Sequence, residues 1–328
     1  MNVSIDELTT LGMKALRRYG YTASEAKTIL DVLMYAQLRG NNQGLVKLIG
    51  AGIPKDPEAG IITLEKETKL SALLNGKRNP GAVVATQAMN LAIKKAKKHS
   101  IGIVGTNNTY SSTGAIGYYA GNIARAGFIG FVFAGSPETV ATYGSFEPIF
   151  GTNPLAIGVP TEKDPIVLDM ATAEVAYYGL IEAKTAGRAI PEGIAYDSAG
   201  AITTDPTKAM DGAIKAFGGH KGAGIALIVE ILTGPLVHAS FTGIGNTKKN
   251  WGNLVIALDP ELLVNTREFM KNVSLLKSRV KQTKPLPGVT EILTPGERGD
   301  RRAKKHLAAS SIDIEQHLYH ELKKAAGK

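Results

Sequence analysis

The sequence predicts an α/β fold, with a sheet in the middle of the chain and helices at both ends. Short apolar runs bounded by glycine, such as residues 128–133 and 155–159, are typical of buried strands. Segments with apolar residues at helical spacing alternate with these runs and make up the first and last parts of the chain. No Gly-x-Gly-x-x-Gly follows a strand and opens a helix, so the sequence gives no support to a Rossmann dinucleotide site.

Capping residues mark the helices at the N-terminal end. Ser4 and Glu7 have capping-box spacing, in which the hydroxyl and the carboxylate each accept a hydrogen bond from a backbone N–H at the helix start. Thr22 and Glu25 repeat this pattern before a second helix. The remaining predicted helices cover residues 82–98, 114–126, 173–186, 222–233, 264–281 and 312–326, and the predicted strands cover 101–104, 128–133, 155–159, 166–168 and 254–258.

Composition excludes several classes of site and partner. The 328 residues include no cysteine, which excludes disulfides and cysteine zinc sites, and no metal site is predicted. The formal charge is +9, but the basic residues are scattered and aromatic residues make up only 6%. Nucleic-acid binding therefore has little support, because single-strand binders stack bases on aromatic side chains. No apolar run reaches the roughly 20 residues that span a bilayer, and no signal pattern is visible, so we expect a cytoplasmic protein without membrane contact.

Four motifs follow one another in an informative order. Gly151-Thr152-Asn153-Pro154 precedes the strand-like segment 165–172, Gly218-Gly219-His220-Lys221-Gly222 comes later, and Pro295-Gly296-Glu297 lies near the end. In this order and spacing they resemble the type-2 malate/L-lactate dehydrogenase family, and the resemblance covers nearly the whole chain. Members of that family are NAD(P)-dependent oxidoreductases of 2-oxo acids, diketogulonate, ureidoglycolate and cyclic imino acids.

The resemblance implies a fold, a cofactor and an assembly. The fold is the non-Rossmann malate/L-lactate dehydrogenase-like fold, with a mixed sheet domain and a helical domain formed from both chain ends. Residues 1–115 and 283–328 are then expected to form the helical, substrate-side domain, and residues 116–282 the NAD(P)-binding domain. The implied cofactor is NAD or NADP, the implied substrate is a small carboxylate, and the implied assembly is a homodimer.

In this family the coenzyme lies across three segments of the chain. The matching residues here are Leu168, Asp169, Met170, Ala171, Thr172, His220, Lys221, Gly296 and Glu297. From the residues alone, a lysine beside backbone N–H groups at a helix N-terminus favours an anion site at His220-Lys221, but a glycine-rich turn with a solvated lysine fits the spacing equally well. Asp169 follows an apolar strand, where a carboxylate either caps the next helix or faces a cleft.

The sequence departs from the family where the chemistry is expected. Family members have Arg-Gly, then Ser-His-Gly, then arginine; the histidine supplies a proton and the arginine holds the substrate carboxylate. Here Gln43 takes the place of the histidine and Lys47 that of the arginine. A glutamine amide hydrogen-bonds a carbonyl but does not exchange a proton near neutral pH, and lysine keeps the charge without the bidentate fork. Thr109 replaces a second family histidine.

Three readings of the function follow. In the favoured reading, hydride passes between NAD(P)H and a small 2-oxo acid or cyclic imino acid, and another acid takes the place of the histidine. The predicted catalytic residues are Gln43, Lys47 and Tyr110. A water molecule held by Gln43 and Asn42 is a further candidate for the acid. In the second reading the protein binds NAD(P) without dehydrogenase activity, and in the third it binds nucleic acid. The predicted substrate-binding residues are Asn42, Asn108, Thr109, Thr152 and Asn153.

Overall fold

A computed structural model describes residues 1–245 and 250–327, and it confirms the α/β fold. The helices are α1 (Ile5–Arg18), α2 (Ala23–Leu38), α3 (Gly81–His99), α4 (Gly117–Arg125), α5 (Tyr177–Thr185), α6 (Pro206–Asp211), α7 (His220–Thr233), α8 (Thr266–Lys281), α9 (Glu297–Ala309) and α10 (Gln316–Ala325). The strands are β1 (Asn2–Ser4), β2 (Thr63–Glu67), β3 (Ser71–Asn75), β4 (Ile101–Thr109), β5 (Ile129–Ala134), β6 (Val140–Ala141), β7 (Pro148–Phe150), β8 (Leu155–Val159), β9 (Ile166–Met170), β10 (Ala195–Tyr196), β11 (Ala213–Lys215), β12 (Trp251–Leu258) and β13 (Ser311–Asp313). Segments of 3-10 helix lie at Leu45–Ala51, which is kinked at Ile49 and Gly50, and at Pro235–Val237 and Pro260–Leu262.

The main sheet has seven strands in the order β2-β3-β4-β12-β5-β8-β9. Only β3 and β4 pair in parallel, and β12 lies antiparallel between β4 and β5, with Val255 opposite Val104 and Val132. Helix α3 packs on β4 and β12, and α4 packs on β5 and β8. The main hydrophobic core joins this sheet to the N-terminal helices and contains fully buried residues such as Leu8 and Tyr119.

A second, smaller core lies around a four-stranded sheet with the order β10-β11-β6-β7. Its buried side chains include Leu180 from α5 and Ala226 from α7. The main sheet takes strands from both sides of the boundary predicted at residues 115 and 116, since β4 and β12 are hydrogen-bonded neighbours. The division into two domains therefore stays a prediction, and what the structure shows is two cores that share α7 as a neighbour.

The two predicted capping boxes have different outcomes. Thr22 and Glu25 form the complete box: the Glu25 backbone N–H donates to Thr22 Oγ1 over 3.3 Å and the Thr22 N–H donates to Glu25 Oε2 over 2.7 Å. Ser4 Oγ accepts from the Glu7 N–H, but the Glu7 carboxylate accepts from the Tyr319 hydroxyl over 2.7 Å instead of from Ser4. The prediction of a full box at Ser4 is wrong because α10 packs on α1 and takes that carboxylate.

The C-terminal part departs most from the predicted elements. The predicted helix over 312–326 begins only at Gln316, because β13 pairs antiparallel with β1 and joins the two ends of the chain. Helix α9 was not predicted: its residues are mostly charged, and Ala303 is its one buried residue, so it lacks the apolar stripe that signals a helix. The predicted helices at 114–126 and 173–186 begin at Gly117 and Tyr177.

Helix α7 is the most apolar helix in the described part of the chain. Together with the following turn, the segment His220–Val237 is long and apolar enough to cross a membrane by length and composition, and 44% of it is buried in this fold. The buried part includes Ala223 and Ala226 of the second core. Beyond the exposed His220 and Lys221 at its start, the same helix also exposes four apolar side chains: Ile225, Leu227, Ile228 and Ile231.

Candidate active site

Two neighbouring cavities lie beside the loop after α2. The larger has a volume of about 1480 Å³ and is bordered by α9, the end of β9 and the loop after α2. The smaller has a volume of about 670 Å³ and is bordered by the loop after β4, the loop after β5 and the end of α6. Gly52, Lys47, Tyr178 and Ile181 line both, so the cavities meet at these residues.

Lys47 is the central group at this junction. Its exposed fraction is 2%, its Nζ donates to Ser112 Oγ over 2.9 Å, and the Nζ lies 3.8 Å from the centre of the Tyr178 ring. Burial lowers the pKa of Lys47 to about 7, because the low-dielectric surroundings disfavour the ammonium. No carboxylate among residues 1–245 and 250–327 forms an ion pair with it. Lys47 can therefore gain and release a proton near neutral pH.

The loop after α2 fixes the position of Lys47. The side-chain oxygen of Gln37 accepts from the Leu45 N–H over 2.9 Å and so holds the start of the 3-10 turn that carries Lys47. A Cβ at Gly44 would lie 2.5 Å from Gln37 Oε1, so a larger residue there would displace the Gln37 amide from the Leu45 N–H. Gln43 lines the smaller cavity and its amide donates to Asn42 Oδ1 over 3.4 Å, while Asn42 lines the larger cavity.

Tyr110 is the third predicted catalytic residue, and the structure brings it to the same cavity as Gln43 and Lys47. Its backbone N–H donates to the Asn79 carbonyl over 3.0 Å, and the Arg78 guanidinium lies 5.3 Å from its ring centre. The loop that follows places Ser112 in the smaller cavity as well. The structure therefore collects the predicted catalytic residues in one place.

The predicted substrate-binding residues divide into two groups. Asn42 and Thr152 line the cavities, as a substrate role requires. Thr109 is 1% exposed and donates to the Trp251 carbonyl over 2.5 Å, and the Asn108 N–H donates to Asn250 Oδ1 over 2.6 Å, so both hold β4 to its neighbours. Neither Asn108 nor Thr109 is among the residues that line the two cavities.

Asn153 also has a structural environment. It is fully buried, and its Nδ2 donates to the Ala226 carbonyl over 3.1 Å and to Glu230 Oε2 over 2.6 Å. These bonds tie the Gly151–Pro154 motif to α7, and burial raises the pKa of the Glu230 carboxyl that they satisfy. Asn153 thus supports the loop that presents Thr152 to the smaller cavity.

Leu168 and Asp169 line the larger cavity. Asp169 Oδ2 accepts a hydrogen bond from the Gly117 N–H at the start of α4 over 2.8 Å. Asp169 therefore both caps a helix and faces a cleft, but the helix that it caps is the preceding α4 and not the next helix in the chain. The Asp169 side chain is exposed to the cavity, but the cavity itself is surrounded by protein. This burial raises the pKa of Asp169 to about 6, although the hydrogen bond from the Gly117 N–H acts in the opposite direction. Beyond Asp169, Met170, Ala171 and Thr172 turn away, and the Thr172 hydroxyl donates to the Thr152 carbonyl over 3.0 Å.

The larger cavity has room for a dinucleotide, and two arginines that have no ion-pair partner among the described residues lie in its wall. Its volume exceeds the roughly 300–1,000 Å³ of ordinary small-molecule pockets. Arg298 and Arg302 line it from the first turns of α9, and within the described residues neither has a hydrogen bond or an ion pair. Gly296 has φ of 84°, and a Cβ there would lie 2.9 Å from the Val167 carbonyl, so glycine lets the helix start approach β9. A helix N-terminus with two free arginines is suited to a diphosphate.

Glu297 is held by its own neighbours. Although burial raises the pKa of this carboxyl, hydrogen bonds from Lys281, Thr294 and Arg301 lower it to about 2. The Arg301 bond measures 2.6 Å and both Thr294 bonds measure 3.1 Å. Glu297 is not among the residues lining the larger cavity, so it fastens α9 to α8 while Gly296 faces the cavity.

His220 and Lys221 lie apart from both cavities. They open α7, both are exposed, and neither lines either cavity. The His220 ring lies 5.9 Å from the ring of Tyr143, centre to centre. Their predicted contact with the coenzyme stays a prediction.

Sequence reasoning gave no individual role to four residues of this site. Tyr178, which stacks on Lys47, comes from α5, 131 positions further along the chain, and no local pattern marks it. Ser112 lies in the same loop as Thr109, which replaces the second family histidine, and its hydroxyl is the signal that could have marked it. Arg298 and Arg302 lie on the unpredicted α9; their spacing of four is the one signal that both face the same side of a helix.

Comparison with known proteins agrees with this architecture. The family model described as malate/L-lactate dehydrogenase matches residues 3–323. The chain belongs to this family. It is 36% identical to the malate/(S)-sulfolactate dehydrogenase of Methanothermus fervidus, over 99% of this chain and 97% of the relative. It is 30% identical to the NAD(+) ureidoglycolate dehydrogenase of Escherichia coli, over 98% and 95%. The malate dehydrogenase structure from Entamoeba histolytica superposes with a TM-score of 0.92 at 27% identity, covering 100% of this chain and 97% of that one.

Membership confirms the non-Rossmann fold, an NAD(P)-dependent oxidoreductase and a cofactor of the NAD or NADP type. The larger cavity, with Arg298, Arg302 and the start of α9, is the part of this chain that fits that cofactor. The departures at Gln43 and Lys47 are therefore departures within the malate/L-lactate dehydrogenase family.

Proposed function

We propose that the protein transfers hydride between NAD(P)H and a small 2-oxo acid or cyclic imino acid, with Lys47 as the source of the proton. The observation that carries this proposal is the position of Lys47, which lines both a dinucleotide-sized cavity and a smaller one. A hydride donor held in the larger cavity and a substrate held in the smaller one would meet there. The names of the relatives, malate/(S)-sulfolactate dehydrogenase and ureidoglycolate dehydrogenase, support an acid substrate.

Each part of the site has a defined task in this proposal. Bound NAD(P)H supplies the hydride, and Arg298, Arg302 and the start of α9 hold its phosphates. Lys47, protonated, places positive charge beside the substrate and provides a proton from Nζ. The Gln43 amide donates a hydrogen bond to the substrate, since it cannot supply a proton itself. Tyr110 borders the same cavity and helps to orient the substrate.

The proton balance sets the pH dependence. Reduction needs the ammonium form of Lys47, and its pKa of about 7 means that this form is lost as the pH rises through 7. The rate of reduction should therefore fall above pH 7, and the rate of oxidation should rise, because oxidation needs the neutral amine to accept a proton. A profile centred near 10 would contradict the assignment.

The decisive experiment is NADH and NADPH oxidation by the purified protein with a panel of 2-oxo and cyclic imino acids. Lys47→Met is expected to lower kcat by about 10²–10⁴-fold while coenzyme affinity changes little. Lys95→Met is the matched control, because Lys95 is also buried but pairs with Glu67 away from both cavities. Coenzyme binding without turnover on any substrate would favour a binding paralogue that lost the reaction with its histidines.

We further propose that two copies associate through α7. This helix exposes an apolar patch, which in a soluble protein is typical of an interaction surface; it consists of Ile225, Leu227, Ile228 and Ile231. Sedimentation of the protein should give the dimer mass, and Ile228→Lys should give the monomer. A monomeric wild-type protein would rule this assembly out. The cytoplasmic location and the absence of nucleic-acid and membrane contacts stay predictions.

A further inference from the structure

Ser112 has an unusual hydrogen-bonding arrangement beside Lys47. Its hydroxyl oxygen accepts from Lys47 Nζ over 2.9 Å and from the Gly114 N–H over 3.0 Å. A serine oxygen has two lone pairs and one hydrogen, so both acceptor positions are filled and only the hydrogen remains. Among residues 1–245 and 250–327, no acceptor is bonded to that hydrogen. Ser112 lines the smaller cavity, where the hydrogen is free to bond to a substrate.

We infer that the Ser112 hydroxyl delivers the proton to the substrate heteroatom and that Lys47 replaces the proton on Ser112. This inference rests on the proposed function, because it names the route of the proton in that reaction. Two properties favour a relay over direct delivery from the lysine. Lys47 is 2% exposed and one side of its Nζ is covered by the Tyr178 ring, so it presents almost no surface to the cavity. Ser112 is only half-buried and stands at the cavity wall.

The step balances for a 2-oxo acid. The carbonyl carbon receives the hydride from NAD(P)H, the carbon–oxygen π bond breaks, and its electron pair moves to oxygen. That oxygen takes the hydrogen of Ser112, and the Ser112 oxygen takes one hydrogen from the Lys47 ammonium. The products are a 2-hydroxy acid, the oxidised coenzyme, an intact serine and a neutral Lys47 amine, which then regains a proton from water.

Gly114 makes this arrangement possible. It has φ of 80°, in the left-handed region that favours glycine, and a Cβ there would lie 2.5 Å from a methyl of Val32. This conformation turns its N–H back onto Ser112 Oγ and fills the second acceptor position. Ser112 cannot rotate away from Lys47 without breaking both bonds, so its hydrogen keeps one direction.

The test is single-turnover hydride transfer in Ser112→Ala, Ser112→Thr and the control Ser278→Ala. Ser112→Ala should slow transfer by about 10²-fold or more, the usual contribution of a positioned acid, and leave coenzyme affinity unchanged. Ser112→Thr should restore most of the rate, because it keeps a hydroxyl. Ser278→Ala removes a hydroxyl that donates to the Ser274 carbonyl within α8 and lines neither cavity, so its rate should stay within about threefold of the wild type.

Solvent isotope measurements distinguish a relay from a purely structural serine. Two protons move together in the proposed step. The wild-type rate, measured in mixtures of H₂O and D₂O, should therefore depend on the deuterium fraction along a curve and not along the straight line expected for one proton. A linear, one-proton dependence would overturn the relay, as would Ser112→Ala with full transfer rate. In either case an active wild-type enzyme leaves the proposed function standing. A wild-type protein that oxidises neither coenzyme with any substrate overturns both.

Discussion

Replacing Lys47 by methionine is expected to stabilise the protein while it removes the proton source. Methionine has a similar length and no charge, so it can occupy the same buried volume without desolvating an ammonium. The pKa of Lys47 falls from 10.5 in the unfolded chain to about 7 in the folded protein, which means that folding opposes protonation of this amine. Between these two values the unfolded chain binds more protons, so the wild-type protein gains stability as the pH rises.

The size of the effect follows from the pKa difference. At about 1.4 kcal/mol per pKa unit, the buried amine costs the folded state about 5 kcal/mol at pH 6 and about 2 kcal/mol at pH 9. Methionine removes that cost, but it also leaves Ser112 without one hydrogen-bond donor, which offsets about 1 kcal/mol. The net gain in the free energy of unfolding is then about 4 kcal/mol at pH 6 and about 1 kcal/mol at pH 9.

The assay is urea unfolding of the wild type and of Lys47→Met at pH 6, 7, 8 and 9. Lys95→Met serves as the control, because Lys95 Nζ donates to Glu67 and to the Thr68 carbonyl, each over 2.8 Å, and its loss leaves both acceptors unpaired. That control should lose stability, with no change in the loss between pH 6 and 9. A stability gain in Lys47→Met that fails to shrink as the pH rises would refute the assignment of a titrating, unpaired lysine.

Two further predictions concern the larger cavity. Asp169→Asn should weaken coenzyme binding several-fold, because a neutral amide is a weaker hydrogen-bond acceptor than a carboxylate. In fluorescence titrations the coenzyme affinity of the wild type should fall as the pH drops through about 6, and that of the variant should not change. Glu297→Gln should lower the free energy of unfolding by about 1–3 kcal/mol at pH 7 with an unchanged kcat, because its bonds to Lys281 and Arg301 hold α9 rather than the coenzyme. Since the pKa of Glu297 is lowered from 4.5 to about 2, this stability is present above pH 4.5 and lost on acidification, so the difference between the two proteins should shrink below pH 4.5 and disappear as the pH falls through about 2.

The sequence was most informative where structure depends on local signals. The Thr22–Glu25 box predicts the start of α2 because both partners lie within one turn. Strands β5, β8 and β9 were predicted from their apolar runs, and in the sheet β8 pairs with β5 on one side and with β9 on the other. Strand β2 was missed because all of its residues are exposed, and α9 was missed because one buried alanine gives no periodicity. Strand β2 forms by antiparallel pairing with the adjacent β3, and α9 packs on α2 and β13, but neither element has an apolar pattern in its own sequence.

The residues that border the candidate site could be predicted from the sequence better than their surroundings could. Gln43 and Lys47 were found because they replace residues that a family pattern specifies. The burial that lowers the pKa of Lys47 depends on Tyr178 and on the meeting of two cavities, which only the folded chain reveals. Likewise, Asn153 and Thr109 match motif positions, but their hydrogen bonds to Glu230 and Trp251 are used for packing.

Burial also explains how a lysine can stand in for a histidine. An ordinary histidine titrates near pH 6.5 and needs no special environment to exchange protons at neutral pH. Lysine reaches that range only when the protein withholds both water and a carboxylate, and Lys47 has neither an ion-pair partner among the described residues nor appreciable exposure. The same burial keeps Nζ away from a bound substrate. The Ser112 hydroxyl lies within hydrogen-bond distance of Nζ and carries the proton from Lys47 to the substrate. The lowered pKa, the stability cost and the need for a relay therefore share one physical cause, so a substitution that admits water beside Tyr178 should raise the pKa, restore stability and slow the reaction together.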